Sequence, residues 1–354
     1  MRLEAGQRGR RISTQVILSL SVLLGALVPI GPARAFELSH YSPGMPNMHD
    51  YFLPPQEVGE FIYAQYNLYY HSDTIRDRDG NEIKSITITG PLGNARTINL
   101  DVSVDQIVLA PGFMWAPKWS VLGGRYGAYI VVPVSNPSLE ANLQTATGRG
   151  VGASTSVWDI GDIFVQPLWL MWSFPRAGRR PPIDLALGYG FDAPTGRFHV
   201  NAFDNVGLGF WEHQIQTAAR FTLDESTATS FVVANTVEIG QEKDDVDVTP
   251  GAHESLNWAF GRHFFDHWFE AAVLGYDTFQ ISNDSGSAVP ASSRGARDEV
   301  HAVGLQIGIP NLGLSFKYYR EFGAVDRFEG DVYTLNLALP LDPIIGKLEH
   351  ALSP

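Results

Sequence analysis

The feature that most constrains this chain is an apolar/polar alternation with a period of two, recurring in roughly twelve segments between residues 59 and 340. In 302–309, Val303, Leu305, Ile307 and Ile309 share one face, against Ala302, Gly304, Gln306 and Gly308. The segments 312–319, 332–339 and 183–192 repeat the pattern. A period of two sends successive side chains to opposite faces of a β-strand. A soluble sandwich would put Lys, Glu, Thr and Ser on its water-facing side. Here the polar faces are rich in Gly, Ala, Gln and Asn, and charged residues make up only 18% of the chain. The expectation is an all-β fold: a transmembrane antiparallel up-and-down β-barrel of about 12 strands, with its apolar face on lipid.

The connections fall into two alternating classes. Short ones lie at 116–119, 174–181, 223–226, 262–266 and 310–311; long polar ones lie at 72–96, 133–156, 195–205, 241–251, 282–296 and 323–330. This predicts a barrel with short periplasmic turns at one end and long extracellular loops at the other. Trp115, Trp119, Trp169, Trp172, Phe264, Phe265, Trp268 and Phe269 sit beside the short turns, as a girdle at the membrane–water boundary would.

Residues 1–35 read as a cleaved signal peptide. Arg2, Arg8, Arg10 and Arg11 precede the apolar run 16–30, which ends before Ala33-Arg34-Ala35. That run is shorter than the ~20 residues of a spanning helix. Removing 1–35 takes five basic residues and one acidic residue from totals of 25 and 38, leaving a net charge of −17. Bulk attraction to nucleic acid or anionic lipid is excluded on that balance. Cysteine is absent, which removes disulfides, thiolate metal sites and cysteine nucleophiles. Beyond the signal, no apolar run is long enough for a helical span, so membrane residence requires a closed barrel.

Two flanks remain. Residues 36–58 carry Pro43, Pro46, Pro54 and Pro55, which deny a regular strand. They predict an irregular segment at the periplasmic mouth that can fold into the lumen as a hatch. The barrel proper occupies 59–340, and 341–354 is a C-terminal tail in which 344–352 can form a short amphipathic helix.

Several strings carry a resemblance. Gly161-Asp162-Ile163-Phe164-Val165-Gln166-Pro167, then 188–196 ending in Pro194-Thr195-Gly196, then Asn205-Val206-Gly207-Leu208-Gly209, and the later blocks 280–286 and 317–330, resemble the meta-pathway phenol-degradation family of outer-membrane proteins. That family is distantly similar to long-chain fatty-acid channels. The resemblance covers about residues 60 to 340. It implies an outer-membrane barrel passing aromatic or other small hydrophobic compounds, with Gly161, Asp162, Pro167, Pro194, Thr195 and Gly196 as motif residues. Pro167, inside an apolar strand, predicts a bulge or a break in pairing. Pro194-Thr195-Gly196 is turn chemistry that ends a strand.

Face parity nominates Tyr63, Gln65, Asn67, Asp184, Gln306, Lys317, Tyr319 and Asn336 as lumen-facing selectivity residues. The expected function is a monomeric pore in the outer membrane of a Gram-negative cell for passive uptake of small hydrophobic or aromatic solutes. Its partners are membrane lipids and those solutes, without nucleic acid, cofactor, metal or catalytic residue. Two alternatives stand beside it. His253 and Ser255 share a strand face, as an outer-membrane lipid hydrolase would need; a plugged barrel acting as a structural or adhesive protein through its acidic loops is the other. His263 and His267, with Asp266, have the spacing of a helical metal pair but fall in a short turn.

Overall fold

The computed structural model describes residues 40–46, 48–89, 95–145, 150–200, 205–291 and 293–342. The signal peptide, residues 36–39 and the helix expected at 344–352 lie outside them.

The wall is one closed antiparallel sheet. It runs from β1 (Phe61–Ile75) to β3 (Ala95–Trp115), then through two composite strands. The first joins β5 (Gly124–Val131) to β6 (Val134–Thr145); the second joins β7 (Gly150–Ser156), β8 (Asp159–Ile160) and β9 (Ile163–Phe174). From β9 the sheet continues through β10 (Ile183–Ala193), β11 (Glu212–Asp224), β12 (Thr229–Gly240), β13 (His253–Phe264), β14 (Phe269–Gln280), β15 (Glu299–Ile309), β16 (Leu314–Val325) and β17 (Phe328–Pro340). β17 pairs back onto β1 from Ile62↔Pro340 to Ile75↔Phe328, which closes the barrel at twelve wall strands. Closure pairs every wall strand on both sides, the condition for crossing hydrocarbon with strands. Two short strands, β2 (Ser85–Thr89) and β4 (Ser120–Val121), extend hairpins onto β3 and β5.

The two faces sort as the alternation demands. Leu185, Val303, Leu305, Ile307, Phe316 and Leu335 point outward and are 40–61% exposed. Ala186, Ala302, Gln306, Ser315, Lys317, Thr334 and Asn336, their neighbours along the chain, are buried inside. An apolar outer wall around a polar, side-chain-filled interior is the reverse of a water-soluble domain.

Three expectations about connections are corrected. Residues 133–156 are largely strand, and 72–96 hold the end of β1, all of β2 and the start of β3, because β6, β7, β2 and the first part of β3 project beyond the other strands at the loop end. The 323–330 connection is a tight turn between Val325 and Phe328, with Asp326 at φ 56°. Gly323, at φ 64°, marks a bulge where β16 slips register against β15, not the start of a loop.

The lumen is occupied. Residues 40–58 enter at the turn end, where Glu60 and Phe61 donate their backbone N–H groups to Asp342. They then climb the interior toward the loop end. Met48, Tyr51, Phe52 and Leu53 are buried and share a core with Ile62, Leu68, Val108 and Ala110 of the inner wall.

Candidate functional site

Polar side chains on the inner wall hold the lumenal segment at three levels. Near the turn end, His49 meets Glu270 of β14 at 2.5 Å, and the Arg220 guanidinium lies 4.6 Å over the Phe52 ring. At mid-height the Lys317 ammonium donates to the carbonyls of Gly44, Met45 and Pro46 at 2.6, 2.6 and 2.8 Å, and Asn336 donates to Met45 at 2.7 Å. Gly44 sits at φ 78° against the Tyr319 and Tyr276 rings, where a Cβ would come within 3.0 Å of both. Toward the loop end, Tyr41 N–H donates to Glu238 at 2.7 Å. His40 there bridges Asp162 at 2.7 Å and Glu212 at 2.8 Å through its two ring nitrogens.

That last node is where the family-motif residues converge. Asp162 accepts the backbone N–H groups of Gly196 and Leu208, both at 2.8 Å, in addition to His40. The Thr195 hydroxyl accepts the N–H of Ile163 at 3.0 Å. A Cβ on Gly196 would lie 2.8 Å from the backbone of both Gly161 and Gly207, so only glycine permits this crossing. Pro194 ends β10 one residue after Ala193, as turn chemistry requires. Burial opposes charge on His40, yet hydrogen bonds to Asp162 and Glu212 and the Glu212 charge hold its pKa well above the ordinary value. For Asp162, burial is outweighed by the His40 hydrogen bond and charge and by the two backbone donors, which lowers its pKa.

Between this segment and β1, β3, β5, β6, β9, β10 and β11 lies a cavity of about 340 Å³. Tyr51, Tyr66, Tyr129, Phe164, Trp169, Met45 and Met114 give it an aromatic and thioether lining; Gln106, Gln166, Gln214 and Gln216 add polar contacts. Trp169 is 3% exposed, and its indole N–H has no hydrogen-bond partner among the described residues. A buried donor left unmade is costly, and a ligand acceptor would satisfy it.

The sequence-nominated residues divide. Asp184, Gln306, Lys317, Tyr319 and Asn336 do face inward, but none lines this cavity. Asp184 pairs with Arg220 at 2.6 Å, Gln306 bonds Glu270, and Lys317, Asn336 and Tyr319 hold the lumenal segment. Tyr63, Gln65 and Asn67 are corrected to the outer face, opposite Leu339, Leu337 and Leu335. They satisfy one another there: Tyr63 Oη donates to Gln65 at 2.6 Å, Gln65 to Asn67 at 3.0 Å, and Asn67 to the Leu335 carbonyl at 2.7 Å. The inner face of β1 carries Ile62, Ala64, Tyr66 and Leu68 instead.

Trp169 is likewise withdrawn from the girdle into the lumen, whereas Trp119, Phe264, Phe265 and Trp268 are exposed at the turn end. Pro167 marks a bulge against both neighbours, shifting register with β10 between Tyr189 and Phe191 and with β5 between Gly127 and Tyr129. Both neighbours remain paired above and below it. His253 and Ser255 are buried on the inner face of β13, but the imidazole bonds Asp298 at 2.9 Å and the hydroxyl bonds Thr278 at 3.2 Å. Among the described residues, the geometry gives Ser255 no base.

Closed sheet, lipid-compatible outer wall and filled lumen together define a β-barrel of the outer-membrane type. The chain belongs to the family described as "Putative MetA-pathway of phenol degradation", whose model matches residues 73–337. Among solved structures it is similar to an outer membrane channel from Pseudomonas putida, at 14% identity and TM-score 0.61, over 85% of this chain and 99% of that one. A FadL homologue from Pseudomonas aeruginosa aligns at 9% identity over 79% of this chain and 90% of that one, with a TM-score of 0.33, too low to inform the fold. No curated protein matches the chain.

Proposed function

We propose that this protein is an outer-membrane channel for passive passage of small hydrophobic or aromatic compounds, received in the cavity between the lumenal segment and β1–β11. The observation that carries this reading is the cavity itself. At about 340 Å³ it lies at the lower end of the roughly 300–1,000 Å³ range of small-molecule sites, which suits a single-ring solute. Rings from four elements line it, and the unpaired Trp169 N–H offers one fixed donor to a phenolic or carbonyl oxygen. Passage needs no covalent chemistry, only a site that binds weakly enough to release. Support also comes from the family membership and from the channel named for the Pseudomonas putida barrel of the same fold.

Equilibrium dialysis of a radiolabelled monophenol against the detergent-solubilised barrel tests the site. Saturable binding that Ala110→Trp abolishes and Trp169→Phe weakens about two- to tenfold is the expected result, the latter from one lost hydrogen bond. Binding that ignores both variants would remove the cavity from the mechanism.

A further inference from the structure

His263 and Glu270 face each other directly across β13 and β14, beside the turn at 265–268. His49, arriving on the lumenal segment, completes a trio in which one donor atom from each residue lies within 4.8 Å of the other two. Both imidazoles aim Nε2 at the same carboxylate oxygen, Glu270 Oε2, at 2.5 Å from His49 and 3.0 Å from His263. Two histidines and one carboxylate converging on a point is a ligand set suited to zinc and its neighbours.

The surroundings support the ligands as metal sites require. His263 Nδ1 lies 2.9 Å from His267 Nδ1, and the tautomer in which His263 donates in that contact leaves its Nε2 as the ligand atom. His267 reaches that position because Phe265, Asp266 and His267 all adopt left-handed backbone conformations, with φ of 53°, 52° and 67°. The other oxygen of Glu270 is held by Gln306. Glu270 is buried, whereas the His49 side chain is 40% exposed, leaving room for a water as fourth ligand.

We propose that His49, His263 and Glu270 form a divalent transition-metal site that staples the lumenal segment to the barrel wall. Tetrahedral zinc, with bonds of about 2.0–2.2 Å, sets its ligands roughly 3.4 Å apart. Small rotations of the two rings bring the trio to that spacing, and the metal replaces the protons now shared with Glu270. The site is independent of what the cavity binds.

The full chain, refolded in detergent without a polyhistidine tag, is titrated with Zn²⁺ by calorimetry and with Co²⁺ by visible absorption. One saturable site per chain, with the intense visible bands of tetrahedral cobalt, is the expected result. Glu270→Gln, which keeps the shape of the side chain, and His49→Ala, which lies outside the wall, each weaken binding at least about tenfold. His267→Ala weakens it about 10- to 100-fold, as loss of a supporting partner does. His71→Ala, on a distant part of the barrel, leaves it unchanged. Absence of saturable binding, or binding that survives both Glu270→Gln and His49→Ala, overturns the site. For the staple, saturating Zn²⁺ slows thiol labelling of Ser42→Cys severalfold in the parent and not in the His49→Ala background. Equal labelling with and without Zn²⁺ overturns that part.

Discussion

His40 concentrates the behaviour of the loop-end node in a single titration. Its pKa in the folded state stands above the ordinary 6.5, so its hold on Asp162 and Glu212 is complete below that ordinary value. The hold is lost as pH rises through the raised value. Asp162 runs the other way: its pKa lies below 3.8, so its contribution is present above 3.8 and is lost as pH falls through the lowered value. The node is therefore tightest in mildly acidic solution and loosens on the alkaline side. Because the chain has no cysteine, Ser42→Cys gives a single thiol two residues from His40. Its labelling rate, divided by that of the exposed Ser226→Cys at the same pH, should stay flat up to neutrality and climb above it. A ratio that falls with rising pH would contradict the assignment.

At the scale of elements, the barrel was legible and the lumenal segment shaped what was not. Alternation in 183–192, 302–309 and 332–339 reports the lipid face directly, since an outward leucine has only hydrocarbon to meet. β1 misleads because its inner face packs on Met48, Phe52 and Leu53, so that face is apolar and the polar ladder Tyr63–Gln65–Asn67 is displaced outward. A segment already rich in Met, Phe and Leu beside four prolines carried that signal, had it been set against the strands. The cavity residues were hidden for a related reason: Phe164, Gln166 and Trp169 flank the Pro167 bulge, which breaks the period of two. Phe164 and Gln166 stand inside the family string, but nothing in it tells which face they take.

The lumenal segment depends on Lys317, whose loss would leave three lumenal carbonyls, that of Gly44 buried and those of Met45 and Pro46 part-buried, with fewer donors. Each unmade hydrogen bond of this kind costs about 1–3 kcal/mol. Lys317→Met should therefore free the segment while leaving the wall closed. Limited proteolysis of the folded barrel would then cut within 40–58, and an uncut segment at parental rates would speak against the tether.

For the molecule as a whole, the consequential physical statement is that solvent for the outer wall is hydrocarbon. Leu305, mid-strand in β15 and 61% exposed, is a direct probe. An arginine there costs about 2–4 kcal/mol at the bilayer midplane. Urea unfolding of Leu305→Arg in lipid vesicles should show a loss of that size, and no loss would mean that something other than lipid covers this face. With the outer wall on lipid and the lumen occupied by a tethered segment, the cavity bounded by Tyr66, Tyr129 and Trp169 is where the proposed solute would be received.

The central claim is that solutes cross through that space. The decisive measurement is the initial rate at which intact cells take up a radiolabelled monoaromatic compound, because their lipopolysaccharide leaflet resists apolar solutes that a plain phospholipid bilayer passes. Cells carrying the parent barrel should take it up several times faster than cells without it, and Ala110→Trp, at equal barrel abundance, should return the rate to that of barrel-free cells. Equal uptake with the parent, the filled variant and no barrel would contradict the account.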